Sequence, residues 1–316
     1  MNANKEDLGV LQDYELDLAF GSDENNFECT IQAGSHCCEA GFYLYAEGTE
    51  YGGIIDSISN DTDTNDVTYS GRTWHGILNS KVLQPDSGSA YLVVSGEANS
   101  VIASLLSRMS LTSLFEASSG KSGLTVSNYK MHRYITGYDG IVKMLDSVGG
   151  KLDFTFRDGK VIVSAVPKHD YTQDEEFDSS LVGFKSKKNF RSVNHLVCLG
   201  SGELENRMVI HLYADKNGNI SQTQTQFGMD EYTAVYDYSS IESEEELILN
   251  GTAELAALWG QDELQIALDD NSDVYSIGDI VGAYDHITKI AVASAITKKI
   301  VTVRDGIITI SYEVGE

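Results

Sequence analysis

Basic residues are scarce in this chain: Lys and Arg number 22 against 48 Asp and Glu, a formal net charge of −26 over 316 residues. Specific binding to nucleic acid needs clustered Lys and Arg to neutralise phosphates, so DNA and RNA are excluded as specific partners. Only two prolines occur, Pro85 and Pro167. Each falls where one kind of sequence texture gives way to another, a place where a residue without an N–H is tolerated. The four cysteines, Cys29, Cys37, Cys38 and Cys198, have no C-x-x-C spacing, and two are adjacent. That pattern excludes a disulfide framework and is read as reduced thiols. No apolar run approaches the roughly 20 residues of a membrane-spanning helix. The start, Met1-Asn-Ala-Asn-Lys-Glu-Asp-Leu-Gly, lacks the features of a signal peptide or a lipid anchor. The expectation is a chain made and kept in the cytoplasm, with no stable membrane insertion.

What is present is a hydrophobic content of 41%, enough in a chain of this length for more than one core. From Glu15 to about Ser95 short β-type runs alternate with Gly, Asn, Asp and Ser: Glu15–Phe20, Phe27–Ile31, Phe42–Ala46, Gly53–Ser59, Val67–Gly71 and Tyr91–Ser95. Short strands at such spacing predict a small sandwich or barrel. At Glu97 the texture changes. Val101, Ile102, Leu105, Leu106 and Met109 recur at helical spacing, with Asn99 or Ser100 as the cap. A second helix is predicted over Asp139–Val148, stopped by Gly149-Gly150. Asp158-Gly159 between alternating apolar residues marks a hairpin.

Beyond an acidic linker at Lys168–Asp178, strands are predicted at Leu181–Lys185, Val193–Leu199 and Met208–Ala214, and a helix over Ser240–Gly260 with Ser243 as its cap. Strands Val274–Ile277, Asp279–Tyr284, Ile290–Ala293, Lys299–Val303 and Ile307–Val314 close the chain. The expected class is mainly β with α+β: two small antiparallel β-barrel domains, an α/β domain and a helical excursion. The first barrel spans 1–95 and the α/β middle domain 96–168. The second barrel takes 169–215 and 262–316, and the excursion 216–261. Two barrels of similar size would amount to a diverged duplication, although no short tandem repeat is visible.

Motifs that carry chemistry are incomplete. Gly120-Lys121-Ser122 resembles the end of a phosphate-binding loop, but Phe115 stands where the motif needs glycine. Asp61-Thr-Asp63-Thr-Asn65-Asp66 spaces its oxygens like the start of a calcium loop, yet Asp66 and Arg72 occupy the places of the required glycine and glutamate. It reads as a polar hairpin loop, with weak Ca²⁺ binding as the alternative. His36-Cys37-Cys38 has soft-metal ligand types, but neighbours on a strand point to opposite faces and no second ligand pair is near. Gly200-Ser201-Gly202 lacks the nucleophile-elbow pattern. Glu203 and Glu205 read as solvated charges rather than a glycosidase pair. Tyr43, Tyr45, Tyr51, Tyr69 and Tyr91 read as strand residues with buried rings and wet hydroxyls, with a glycan platform as the alternative. No catalytic residue, metal ligand or cofactor is assigned, and the chain is not expected to be an enzyme.

One stretch has unusually specific wording: Tyr51-Gly-Gly-Ile-Ile-Asp-Ser-Ile, then Val67-Thr-Tyr-Ser-Gly-Arg-Thr-Trp-His-Gly-Ile-Leu, then Lys81-Val-Leu-Gln-Pro85. It resembles the tail baseplate hub proteins of phages and prophages of Gram-positive hosts. Three further blocks in the same order are similar to that family: the run from Asn128 to Leu145, the run from Asn194 to Asp215, and Tyr275–Asp285 with the closing Ile308–Gly315. The resemblance implies a homotrimer whose two barrels per subunit form a ring of six. Such a ring adapts a sixfold tail tube to a threefold tip around a central channel. It further implies tail-tube and distal tail proteins above, a spike or fibre protein below, DNA passing through without specific binding, and a location in the virion tail. Many relatives carry a C-terminal peptidase or fibre-like extension. Here the chain stops at Glu316, so that activity is not expected. A glycan-binding β module and a cell-wall hydrolase with a site invisible in sequence are the alternatives. Within the hub reading, Gly71-Arg-Thr-Trp-His-Gly fixes the closure of the first barrel, with Trp74 as a core or interface anchor.

Overall fold

Strand β1 (Tyr14–Gly21) joins the two ends of the chain. On one side it pairs antiparallel with β2 (Asn26–Gln32), Leu18 opposite Phe27, and on the other with Ala291–Arg304, Leu18 opposite Val301. The computed structural model describes residues 1–173, 177–178, 184–187, 192–259, 263–266 and 275–315. In it β1 lies inside a nine-stranded sheet that curls into a half-barrel. Beyond β2 follow β5 (Asp66–Thr73), β4 (Gly52–Asp61) and β3 (Tyr43–Tyr45). Beyond Ala291–Arg304 lie Ile280–Tyr284 and Phe177–Asp178, and Ile307–Val314 pairs with Ala291–Arg304 as well. Burial alternates as a half-covered sheet requires: Phe27, Cys29 and Ile31 on β2 and Val67 and Tyr69 on β5 are buried, and the residues between them are not.

The fold is mainly β with α+β content, as the sequence implies. It divides into two compact units. The first comprises Met1–Phe184, Gln265–His286 and Ala293–Gly315, and the second Lys185–Leu264 with Ile287–Val292. The expected division at 95/96 falls inside the first unit. There α1 (Trp74–Asn79), α2 (Ala98–Arg108) and α3 (Gly137–Asp146) share one apolar cluster with the sheet of Phe115–Ala117, Lys160–Pro167 and Gly150–Arg157. Trp74, Leu78, Ile102, Leu105, Ile141 and Phe156 are all buried in it. Removing such side chains from water is the main driving force for this packing.

In the second unit His195–Leu199 pairs antiparallel with Val209–Ala214 and parallel with Thr233–Asp237. On sequence grounds the first two of these strands are expected to join the final ones, and the third to lie in a helical excursion. The reason for the difference is the apolar face formed by Leu196, Cys198, Ile210 and Leu212. Helix α4 (Glu244–Leu258) covers it with Leu247 and Leu255. Gly251 makes the approach possible, since a Cβ there would stand 2.5 Å from the Cys198 sulfur.

Several local expectations hold. Asp158 and Gly159 both adopt positive φ (52° and 72°) in a tight hairpin. The Ser243 side chain accepts from the Glu246 N–H to start α4. Others are corrected. Helix α2 is capped by Glu97, whose carboxylate accepts from the Ser100 N–H, and not by Asn99. Asn99 is buried and committed elsewhere: its amide donates to the Gly120 carbonyl and accepts from the Ala165 N–H. Helix α3 starts at Gly137, two residues before the expected Asp139, because Thr136 accepts from the Asp139 N–H as its cap. Tyr275–Gly278 leads through a turn instead of forming a strand, and the predicted Ile290–Ala293 and Lys299–Val303 are parts of one strand, Ala291–Arg304. Of the expected strand Leu181–Lys185, residues 181–183 lie outside the described residues, as does Val274.

Candidate functional site

The wording around Trp74 is spelled by close approach. Thr73 ends β5 and its hydroxyl accepts from the Gly76 N–H, turning the chain into α1 with Trp74 as the first helical residue. The Trp74 indole is fully buried against Tyr43 and Phe156. Gly52 on β4 lies over it, where a Cβ would be 2.5 Å from the indole and 2.7 Å from the Leu44 carbonyl oxygen. Gly71 faces β4, and a Cβ there would be 1.8 Å from the Ile54 carbonyl oxygen. That contact sits at the register shift between Ile55 and Ser57. Arg72 beside it grips Asp56 with two nitrogens, each 2.7 Å from a carboxylate oxygen, and holds that carboxyl below its usual range, the hydrogen bond being the largest cause. The corner is therefore a packing device, and Trp74 belongs to the core.

Behind Trp74 lies a set of buried ionic groups without a signature in the sequence. His75 is fully buried, with its ring parallel to Phe20 at 4.3 Å and 4.2 Å from the Phe154 ring. Burial, and next the charge of Lys299, push its imidazole down to about 3, so it is neutral. Lys299, 1% exposed, sits 2.7 Å from Glu50 and over the rings of Tyr51 and Tyr312. Lys151 pairs at 2.6 Å with buried Asp279, which accepts from the His169 and Ser276 N–H groups as well. Burial raises the carboxyl of nearby Asp153. Lys299 and Asp279, the two most deeply buried charges, each meet a counter-ion, as burial requires.

A half-open cavity of about 1040 Å³ lies against β1 and β2. Leu16, Leu18, Phe27 and Cys29 line it, as do Met1, Lys5 and residues 7–11. Cys37 and Cys38 line it too, with their sulfurs 3.8 Å apart. The His36–Cys38 segment is irregular and not a strand. The Tyr69 hydroxyl organises it, lying 2.9 Å from His36 Nδ1 and accepting from the Cys37 and Cys38 N–H groups. Burial pushes the Cys29 thiol up to about 12 and the Cys38 thiol up to about 11, so both stay protonated at neutral pH. Among the described residues no three His, Cys, Asp or Glu side chains converge on a common metal position.

The remaining motif residues stand apart from one another. Ser122 donates its N–H to Glu97 at 2.7 Å, which fastens the Gly120-Lys121-Ser122 loop to the start of α2. The Asp61 carboxylate accepts from the Asp63 and Thr64 N–H groups inside the β4–β5 turn. Glu203 and Glu205 are exposed, Glu205 in a single 3-10 turn (Leu204–Asn206) and Glu203 just before it. Tyr43 and Tyr45 pack their rings on the core, Tyr69 is buried, and Tyr51 and Tyr91 are half-buried.

No protein-family model and no curated protein matches the chain. Solved structures do share its fold over nearly its whole length. The tail protein from Neisseria meningitidis MC58 is 13% identical, with 96% of this chain and 91% of that one covered and a TM-score of 0.53. The 43 kDa tail protein of prophage MuSo2 from Shewanella oneidensis is 10% identical, with coverages of 97% and 95% and a TM-score of 0.57. Prophage tail protein gp18 from Listeria monocytogenes EGD-e is 10% identical, with coverages of 99% and 92% and a TM-score of 0.51.

Proposed function

We propose that this chain is a structural protein of a phage or prophage tail, the baseplate hub, acting by assembly rather than catalysis. The observation that carries the reading is the likeness of the whole fold to three proteins described as tail proteins, with coverage above nine-tenths on both sides in each case. Fold alone does not fix function. The order of sequence blocks from Tyr51 to Gly315 adds specificity to the hub reading. The register between β1 and Ala291–Arg304 fits it too, because it lays the first and last β regions of one subunit edge to edge in a single sheet. Three copies so built present six β regions around an axis, which meets a sixfold tube above and a threefold tip below.

In this reading the subunit works as a homotrimeric ring with a central channel. Tail-tube and distal tail proteins dock above and a spike or fibre protein below, and the ring resides in the virion tail. The charge of −26 keeps outgoing DNA from adhering to the wall. Mass measurement of the full chain with and without tail-tube protein tests the reading: trimers, or rings formed on addition of tube, are expected. A strict monomer that forms no ring with tube protein, together with saccharide binding or release of peptidoglycan fragments, overturns it in favour of a glycan-binding module or a cell-wall hydrolase.

A further inference from the structure

In the second unit two imidazoles meet ring nitrogen to ring nitrogen, and the packing of that unit does not account for them. His195 stands on the strand His195–Leu199, opposite Tyr213 on one side and Thr233 on the other. His211 is the diagonal neighbour on the same face, one pair further along. His195 is 8% exposed, whereas His211 is exposed. The Nδ1 of His195 lies 2.6 Å from the Glu231 carboxylate and 3.1 Å from the Thr233 hydroxyl. Its Nε2 lies 2.8 Å from the Nδ1 of His211. The Tyr213 ring lies against the His195 ring, with centroids 4.4 Å and planes 23° apart, and fixes its plane.

The tautomers follow from these contacts. A carboxylate only accepts, so in the neutral imidazole the His195 proton sits on Nδ1 and its Nε2 carries a lone pair. That lone pair is directed at an exposed neighbour that is itself an imidazole. A carboxylate behind one histidine nitrogen, with the other nitrogen presented outward, is the outer-shell arrangement that orients metal-ligating histidines and raises their basicity. Two nitrogens each about 2.1 Å from one ion in neighbouring coordination positions stand about 3 Å apart, so the observed separation needs only a small swing of the exposed ring.

We propose that His195 and His211 form a chelating site for a first-row divalent transition ion such as Ni²⁺, Cu²⁺ or Zn²⁺. His195 Nε2 and a ring nitrogen of His211 are the ligands, Glu231 is the positioning residue, and water completes the coordination sphere. For the ion to bind His211 Nδ1, the proton there moves to Nε2 of the same ring, which frees the Nδ1 lone pair and leaves the exchange without net proton release. Two imidazoles select borderline ions in the order Cu²⁺ above Ni²⁺ and Zn²⁺ above Mn²⁺, and they leave Mg²⁺ and Ca²⁺, which require oxygen ligands, unbound. The two histidines are separated along the chain without a metal-ligand spacing, and only the strand register brings them together. The inference stands independently of any role in a tail.

The test is titration of the full chain with Ni²⁺ at neutral pH by calorimetry, in excess Mg²⁺. Amide resonances are followed in parallel, because the ion broadens those closest to it. The wild type is expected to bind one Ni²⁺ with broadening centred on residues 195–197 and 209–213. His211→Ala, an exposed change that leaves the melting temperature of the ion-free chain unaltered, is expected to weaken binding at least tenfold. Glu231→Gln keeps both ligands and is expected to weaken it about tenfold. Absence of binding by the wild type, equal affinity in His211→Ala, or broadening centred elsewhere overturns the site, the last two meaning an adventitious ion only.

Discussion

The indole of Trp74 lies parallel to the ring of Phe156, with centroids 5.5 Å apart and planes 9° apart. Trp74 opens α1 at the end of β5, and Phe156 lies in the strand Gly150–Arg157. The pair therefore stitches the first β region to the helices and the three-stranded sheet. Trp74→Ala removes the largest fully buried side chain of that cluster. A loss of about 3–5 kcal/mol in folding stability is expected, read as a lowered urea midpoint. An unaltered midpoint contradicts a core role.

Gly71→Ala places a methyl group against the Ile54 carbonyl oxygen and forces β4 and β5 apart. A loss above about 2 kcal/mol is expected in a thermal or urea melt. Gly34→Ala, where nothing lies within 4 Å of the added carbon, serves as the control and stays within about 0.5 kcal/mol of wild type.

Lys299→Met leaves the Glu50 carboxylate facing a buried site without its cation. Loss of one partner of a buried pair costs about 3–5 kcal/mol. Changing both residues, Lys299→Met with Glu50→Gln, is expected to recover most of that loss. A double-mutant cycle in urea measures the coupling, and additive single effects contradict the pairing.

His75 gives the chain a pH dependence of definite sign. Its imidazole is held down to about 3 in the folded state and titrates near 6.5 when unfolded. Between these values the unfolded chain binds a proton that the folded chain does not. Stability from this group is complete above about pH 6.5 and falls by about 1.4 kcal/mol per pH unit below it. His75→Phe suits a slot between Phe20 and Phe154, and it is expected to lose about 2 kcal/mol less than wild type between pH 6.5 and pH 5. Parallel urea melts at the two pH values check this, and identical losses contradict it.

Features set by a few neighbouring residues were legible in the sequence. The Asp158-Gly159 hairpin, the Ser243 cap of α4 and the alternation along β2 and β5 follow from local conformational preference and burial period. What depends on distant partners was not. Asn99 looks like a cap until its amide is seen bridging Gly120 and Ala165. The strand Thr233–Asp237 has too few apolar residues to stand out, and it is held by backbone pairing with His195–Leu199. Nothing in the sequence marks Lys299 or Asp279 as buried, because burial of an ion is visible only with its counter-ion. The glycines of the Trp74 corner were prominent as wording, and close contacts with Leu44, Ile54 and the indole give the physical reason.

The central claim is that three copies form a ring of six β regions. Electron cryo-microscopy of the full chain mixed with the tail-tube protein of the same phage or prophage tests it most directly. The account predicts class averages of a threefold ring, with neighbouring β regions related by a sixth of a turn and an open channel on the axis. Particles that remain single chains at high concentration, with tube ends bare of this protein, contradict it.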